Sequence, residues 1–330
     1  MSKIDFLAIG DTVIDTFIKL KDAHVHCNID KEGCELCMRF GSKVPYEESI
    51  TTPAAGNSTN ASVAVAKLGL KTAVMTNIGD DQKGKDCLNS FKKNNVSTKY
   101  ITVEKNKSTS HNYILWYDID RTILTKHTQF DYKFPKIKEV SYIYLTSLAE
   151  NSISYHAEIL EYLKKYSKTK LVFQPGTFQI KLGAEKLKEI YNLTEIFFCN
   201  KEEAGKILNT EDKDLLNLSK GIKNLGPKII FITDGENGSY MYFNDELWHM
   251  PIYPNEIPML EATGAGDAFS SAVTCAIMLG KNPQEAFTWG PVNSMSVVRQ
   301  IGSQAGLLSR KEIENYLKNA PENYKAVKIN

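Results

Sequence analysis

The sequence predicts an α/β fold, with a mostly parallel central sheet flanked by helices and a small β-rich lid. Three observations carry that expectation. Short apolar runs of strand character alternate with longer segments of helical periodicity, which implies βαβ units. No repeat, low-complexity tract or linker divides the chain, so residues 1–330 read as one domain. Two stretches, 12–52 and 109–128, break the rhythm and read as added strands.

The first strand is read at 5-DFLAIG, with Asp15 shortly after it. Residues 12–52 then form no βα unit: VIDTFIKL, a polar stretch with histidines and cysteines, and KVPYEESITT follow one another. From Pro53 a small-residue loop leads into a helix with Ala61, Ala64, Val65 and Leu68 on one side and Gly56, Asn57 and Asn60 at its start. A strand follows at 73-AVMTNI, and residues 109–128 read as a β-hairpin turning near Asp118–Arg121. Further strands are expected at 142-YIYLT, 170-KLVFQ, 196-IFFC and 228-KIIFIT, with helical patterns at 153-ISYHAEILEYLKKY and 181-KLGAEKLKEIY. The two irregular stretches are expected to pair into a lid over the carboxyl edge of the sheet, where open α/β sheets bind ligands.

Apolar residues make up 42% of the chain and charged residues 24%, ordinary values that exclude wholesale disorder, collagen and coiled coil. Lys and Arg number 40 against 39 Asp and Glu, and the net charge of +1 removes the electrostatic case for nucleic acid or an anionic membrane as partner. Lys3, Asp5, Asp11, Asp15 and Lys19 interrupt the N-terminal segment, and no apolar run is long enough to span a bilayer. Of the 6 cysteines, Cys87, Cys199 and Cys275 lie in apolar segments, where reduced thiols are expected. The chain therefore reads as soluble and cytoplasmic.

The most informative segment is 261-EATGAGDAFSSAVTCAIMLG, where small or apolar residues recur with helical spacing after Asp267. Gly264, Ala265 and Gly266 then stand at a helix start, where free N–H groups favour an anion such as a phosphate. A carboxylate there repels phosphate, so Asp267 suits a base that takes a proton from an attacking hydroxyl; alternatively it complements the helix dipole. Asn200 and Glu203, after 196-IFFC, offer oxygen donors to Mg²⁺ or its water shell, and serve equally as a helix capping box. Thr233, Asp234, Gly235 and Gly238 mark another strand end, or a plain hairpin turn. Gly56, Asn57 and Asn60 suit a polyhydroxyl ligand. Asp15 suits two neighbouring hydroxyls, or is an edge-strand carboxylate.

Together these segments resemble the ribokinase-type (PfkB) family of carbohydrate kinases across nearly the whole chain. The resemblance rests on Gly10-Asp11 with Asp15, on Ala55-Gly56-Asn57-Ser58-Thr59-Asn60 through Gly69, on Asn77-Ile-Gly-Asp80 with Gly84, on Asn200-Lys-Glu-Glu203, and on Thr263-Gly-Ala-Gly-Asp267-Ala-Phe. It implies a ribokinase-like fold and phosphorylation of a sugar or nucleoside alcohol by ATP. By motif, Asp267 would be the catalytic base, and Gly264, Ala265 and Gly266 the anion hole. Glu203 with Asn200 would organise Mg²⁺ through water, and Asp15, Gly56, Asn57 and Asn60 would hold the acceptor. Arg121 resembles a lid arginine near acceptor or phosphate. Thr233, Gly235 and Gly238 would line the nucleotide site, with Asn293 towards the adenine. The chain has Ala55-Gly56 where the family usually has two glycines, and Glu261-Ala262 where it usually has Asp-Thr. Backbone groups near that second point and near Gly302 bind a monovalent cation in many members, so the resemblance leaves such a cation open here.

Three further expectations concern partners. Acceptor choice between sugar, sugar phosphate and nucleoside lies in lid and loop side chains: Tyr113, Trp116 and Tyr117 could stack on a base, and Arg39, Lys43 and Arg121 could meet a phosphate. A non-catalytic ligand-binding member is the alternative from another class, and retention of Asp267 argues against it. Exposed lid strands suggest a homodimer through the lid. His24, His26, Cys27, Cys34 and Cys37 form either a zinc-stabilised lid element or a polar hairpin with incidental thiols.

Overall fold

The computed structural model describes residues 3–27, 34–117, 120–254 and 257–330. The chain opens on β1 (Phe6–Ile9), buried along its whole length. It then leaves the core for β2 (Val13–Leu20), the short strands β3 (His24–His26) and β4 (Glu35–Cys37), and β5 (Tyr46–Ala55). It returns through α1 (Asn57–Lys67), β6 (Thr72–Gly79), α2 (Gln82–Lys93) and β7 (Ser97–Glu104). A second excursion is β8 (His111–Tyr117) and β9 (Asp120–Lys126). There follow β10 (Tyr142–Leu145), α3 (Ile153–Lys165), β11 (Lys170–Phe173), α4 (Thr177–Leu182), α5 (Lys188–Leu193), β12 (Thr194–Asn200), α6 (Lys201–Leu208), α7 (Leu215–Asn224) and β13 (Ile229–Thr233). The strands β14 (Ser239–Phe243) and β15 (Glu246–Met250) lead to α8 (Ala265–Met278), α9 (Pro283–Val297), α10 (Arg310–Lys318) and β16 (Val327–Lys328).

The large sheet has ten strands in the order β16-β15-β14-β13-β12-β11-β10-β1-β6-β7. From β7 to β13 every neighbour is parallel, and β14 to β16 extend the sheet antiparallel. Apolar side chains alternate between its faces. Leu7, Ile9, Ile143, Leu171, Phe173, Phe197 and Ile230 point to the side of α3, α6 and α7, whereas Phe6, Ala8, Tyr144, Val172, Phe198 and Phe231 point to α1, α8 and α9. Both faces are thus covered, which is why these strands read as continuous apolar runs. The order reverses between β1 and β10, the kind of switch point at which a cleft opens at the carboxyl ends of the strands.

The two excursions pair. Strands β5, β2, β8 and β9 form a second sheet, joined through the parallel β2–β8 contact. Of the turn expected near Asp118–Arg121, Asp118 and Ile119 lie outside the described residues; Tyr117 and Asp120 are paired on either side. The pattern at 181–191 does not form one helix. Gly183 takes φ 90°, a left-handed value that ends α4, and the helical path resumes only at α5. No helix among the described residues is long and apolar enough to cross a membrane.

Candidate active site

Asp267 stands in the first turn of α8, behind Gly264, whose φ of 83° and ψ of 0° turn the chain into the helix. A Cβ on Gly264 would lie 2.5 Å from the Ser303 Cβ and 2.7 Å from its Cα, so backbone angle and space both require glycine. A Cβ on Gly266 would meet nothing within 4 Å, because it faces open space. That space is a cleft of about 210 Å³ lined by Asn57, Gln174, Asn200, Glu203, Thr233, Gly264, Gly266 and Asp267. Three of these groups sit at strand ends: Gln174 just past β11, and Asn200 and Thr233 side by side at the ends of β12 and β13.

The Asp267 carboxylate is buried and held by three amides. Oδ1 accepts from Asn57 Nδ2 at 2.8 Å and from Gln174 Nε2 at 3.1 Å, and Oδ2 accepts from Asn60 Nδ2 at 2.8 Å. Asn60 is fixed in turn, its Oδ1 accepting from Ser303 Oγ at 2.8 Å and Gln304 Nε2 at 2.9 Å. Burial raises the Asp267 pKa, and the three donors oppose that shift. The sequence marked Asn57 and Asn60 as site residues but aimed them at a ligand; their donors go to the carboxylate. Gly56 caps α1 at φ 94°, and a Cβ there would stand 2.7 Å from the Asp11 carbonyl oxygen.

Asn200 and Glu203 form the capping box of α6. Asn200 Oδ1 accepts from Glu203 N at 2.8 Å, and Glu203 Oε2 accepts from Asn200 N at 2.9 Å. They line the cleft as well, and burial together with the Asp267 charge raises the Glu203 pKa. A cleft lined by two carboxylates, one with an oxygen left beyond its cap and held back from ionising by the charge of the other, fits a hydrated divalent cation.

On the other side, Asp15 is buried and accepts from Asn112 Nδ2 at 3.0 Å. Its pKa is pushed up to about 6 by burial, with Glu261 and Asp267 acting in the same direction. Arg121 does not reach the cleft. Its Nε lies 3.5 Å from Glu261 Oε1, the oxygen that also accepts from Thr263 N at 2.7 Å, so it ties the small sheet to the segment preceding Gly264.

Residues 19–310 match the pfkB family carbohydrate kinases. The chain belongs to that family, phosphotransferases with an alcohol group as acceptor. It is 26% identical over 306 residues to 5-dehydro-2-deoxygluconokinase of Clostridium tetani, covering 85% of this chain and 89% of that protein. It is 25% identical over 278 residues to Bacillus subtilis ribokinase, covering 82% and 89%. Among solved structures, Arabidopsis thaliana ribokinase complexed with ribose and ATP superposes with a TM-score of 0.78 at 18% identity, over 96% of this chain and 99% of that one. The nucleoside kinase of Methanocaldococcus jannaschii gives 0.75 at 17%, over 97% and 100%. A chain from E. coli solved with ATP and Mg²⁺ gives 0.73 at 16%, over 96% and 99%. These likenesses establish the ribokinase-like fold.

Within this family member, two expected site residues have other work. Asn293 is fully buried; its Nδ2 donates to the Ala268 carbonyl at 3.0 Å and its Oδ1 accepts from Leu308 N at 3.1 Å, which leaves it no surface for an adenine. Gly238 takes φ 87° in the β13–β14 turn, where a Cβ would lie 2.4 Å from the Met250 carbonyl oxygen, so the turn alone requires it. Gly235 opens the same turn at φ 55°. The zinc alternative is not formed: Cys27 and Cys34 are joined in a disulfide, Cys37 is free and exposed, and no group of three or more His, Cys, Asp or Glu among the described residues could hold a metal. Cys87, Cys199 and Cys275 are free and buried, as expected. Sequence reasoning missed Gln174 and Asn112, single amides in strand contexts with no motif around them.

Proposed function

We propose that this chain transfers the γ-phosphate of ATP to a hydroxyl of a sugar, with Asp267 as general base. One observation carries the reading: the buried Asp267 carboxylate shares a cleft with the glycine turn at the start of α8 and with the Asn200–Glu203 pair. The relatives named as sugar kinases, and the structural neighbours solved with ATP, with ribose and with Mg²⁺, support it.

Phosphoryl transfer needs alignment and charge neutralisation more than covalent chemistry. The acceptor hydroxyl lies between Asp15 and Asp267. Asp15 receives hydrogen bonds from other hydroxyls of the acceptor. Oδ1 of Asp267 has both lone pairs occupied, so Oδ2, with one pair free, takes the proton as the alcohol oxygen attacks in line. Amides of the 264–266 turn meet the charge that spreads over the phosphoryl oxygens. Glu203, with Asn200, holds the hydration shell of Mg²⁺, which when bound neutralises phosphate charge. Thr233 and Gly235 lie along the nucleotide. The small sheet of β5, β2, β8 and β9 acts as a lid that excludes water, and Arg121 latches it to Glu261.

Purified protein with ATP and Mg²⁺, offered a panel of sugars, sugar phosphates and nucleosides, tests the reading. The expected result is ADP formation that depends on a sugar, with the phosphate recovered on its hydroxyl. Turnover confined to nucleosides would move the acceptor class. ATP binding without turnover on any acceptor would favour a ligand-binding role.

A further inference from the structure

The donors around Asp267 include one that no motif marks. Gln174 follows β11 directly; its Nε2 lies 3.1 Å from Asp267 Oδ1, and its Oε1 accepts from the Tyr144 hydroxyl. The direction of this chain is forced. A carboxylate only accepts, so the Gln174 amide must turn its NH₂ to Asp267, which leaves Oε1 towards Tyr144, whose hydroxyl must then donate. Tyr144 is fully buried in β10 and stands 2.7 Å from Ser270 Oγ on α8. A run of donors therefore starts in the rigid centre of the sheet, passes the end of β11 and finishes on the first turn of α8.

We propose that Gln174, oriented by Tyr144, is a positioning residue for the base: it fixes the plane of the Asp267 carboxylate so that Oδ2 stays turned to the acceptor hydroxyl. The inference rests on the role proposed above for Asp267. Its physical ground is that the terminal torsion of an aspartate is broad and has no strong rotamer wells. Burial alone does not choose which oxygen faces the substrate; hydrogen bonds do. Asn60 anchors Oδ2 from α1, and Asn57 reaches Oδ1 from the same helix. Gln174 is the clamp that comes from the sheet, so it ties the carboxylate plane to the strand ends rather than to α1 alone. Linked donors also strengthen one another in a buried setting, so the Tyr144 hydroxyl reaches the Asp267 side-chain carboxylate through Gln174, whereas its contact with Ser270 leads to the Asp267 backbone carbonyl.

The test is a double-mutant cycle on the full chain with Gln174→Ala, Tyr144→Phe and both together, reading kcat, acceptor KM, ATP Kd and thermal unfolding. Gln174→Ala is expected to lower kcat by roughly tenfold or more, the order that loss of orientation costs, with ATP Kd unchanged. Tyr144→Phe is expected to lower kcat by a smaller factor, and the double variant to be no slower than Gln174→Ala. The acid limb of kcat should move to higher pH in Gln174→Ala, because a carboxylate that loses a donor binds its proton more tightly. Asp15 and Glu203, the other carboxylates acting with Asp267, are untouched in all three variants. Full turnover in Gln174→Ala, additive losses in the double variant, or a Tyr144→Phe that loses thermal stability while its kcat and acid limb stay put would each overturn the proposal. Asp267→Asn separates the two levels: if it is inactive while Gln174→Ala is fully active, only this inference fails, and if it retains activity the proposed function fails with it.

Discussion

Burial, with Glu261 and Asp267 acting in the same direction, holds the Asp15 carboxyl at about 6 instead of its ordinary 3.8. Because the folded pKa is the higher one, the folded chain binds more protons than the unfolded chain between these values. Its stability therefore falls as pH rises through that window. Above it, the ionised Asp15 costs up to about 3 kcal/mol at 1.36 kcal/mol per unit. Asp15→Asn keeps the size and the acceptor for Asn112. It is expected to raise Tm near neutral pH, with the gain shrinking towards pH 4, and to lower kcat/KM for the acceptor by about 10- to 150-fold. A lower Tm near neutral pH with activity intact would make Asp15 a fold residue. At this scale the sequence was readable where chemistry is concentrated: Asp267 sits in a glycine turn and Asp15 follows the first strand. It was not readable where an amide finds its partner across the fold. Asn57 meets Asp267 over a separation of 210 residues, and Gln174 carries no local signal at all.

The start of α8 makes two glycines do different work, which substitution separates. Gly264→Ala puts a side chain at positive φ and against the Ser303 backbone, so it is expected to cost about 1–3 kcal/mol of stability and to displace the anion-binding turn. Gly266→Ala adds a methyl in open space within a helix, which should leave Tm equal or higher, since Ala is favoured over Gly there by roughly 0.5–1 kcal/mol. Its methyl nevertheless projects into the cleft, and turnover should fall. Thermal unfolding and kcat on both variants check this; a Gly266→Ala chain with full activity would mean that phosphate does not approach the turn. The elements themselves were legible to differing degrees. Runs such as FLAI, YIYL and IIFIT declared themselves because helices bury both of their faces. The 181–191 segment misled because periodicity continues across Gly183 while the backbone turns there.

For the whole molecule, topology puts the starts of α1 and α8 and the ends of β11, β12 and β13 around one cleft, with a second sheet built from two excursions of the chain. The excursions were legible as breaks in βα rhythm, and their pairing follows from the parallel β2–β8 contact. The way the second sheet meets the loop at Glu261 was not legible, because it is a contact between residues distant in sequence. What unites these features is a single claim, that the cleft moves a phosphoryl group to an alcohol with Asp267 as base. Phosphate transfer from ATP to the best acceptor, measured side by side for the natural chain and Asp267→Asn, tests it most directly. The account predicts a fall in kcat of about 10²-fold or more with fold and ATP affinity kept; turnover close to that of the natural chain would contradict it.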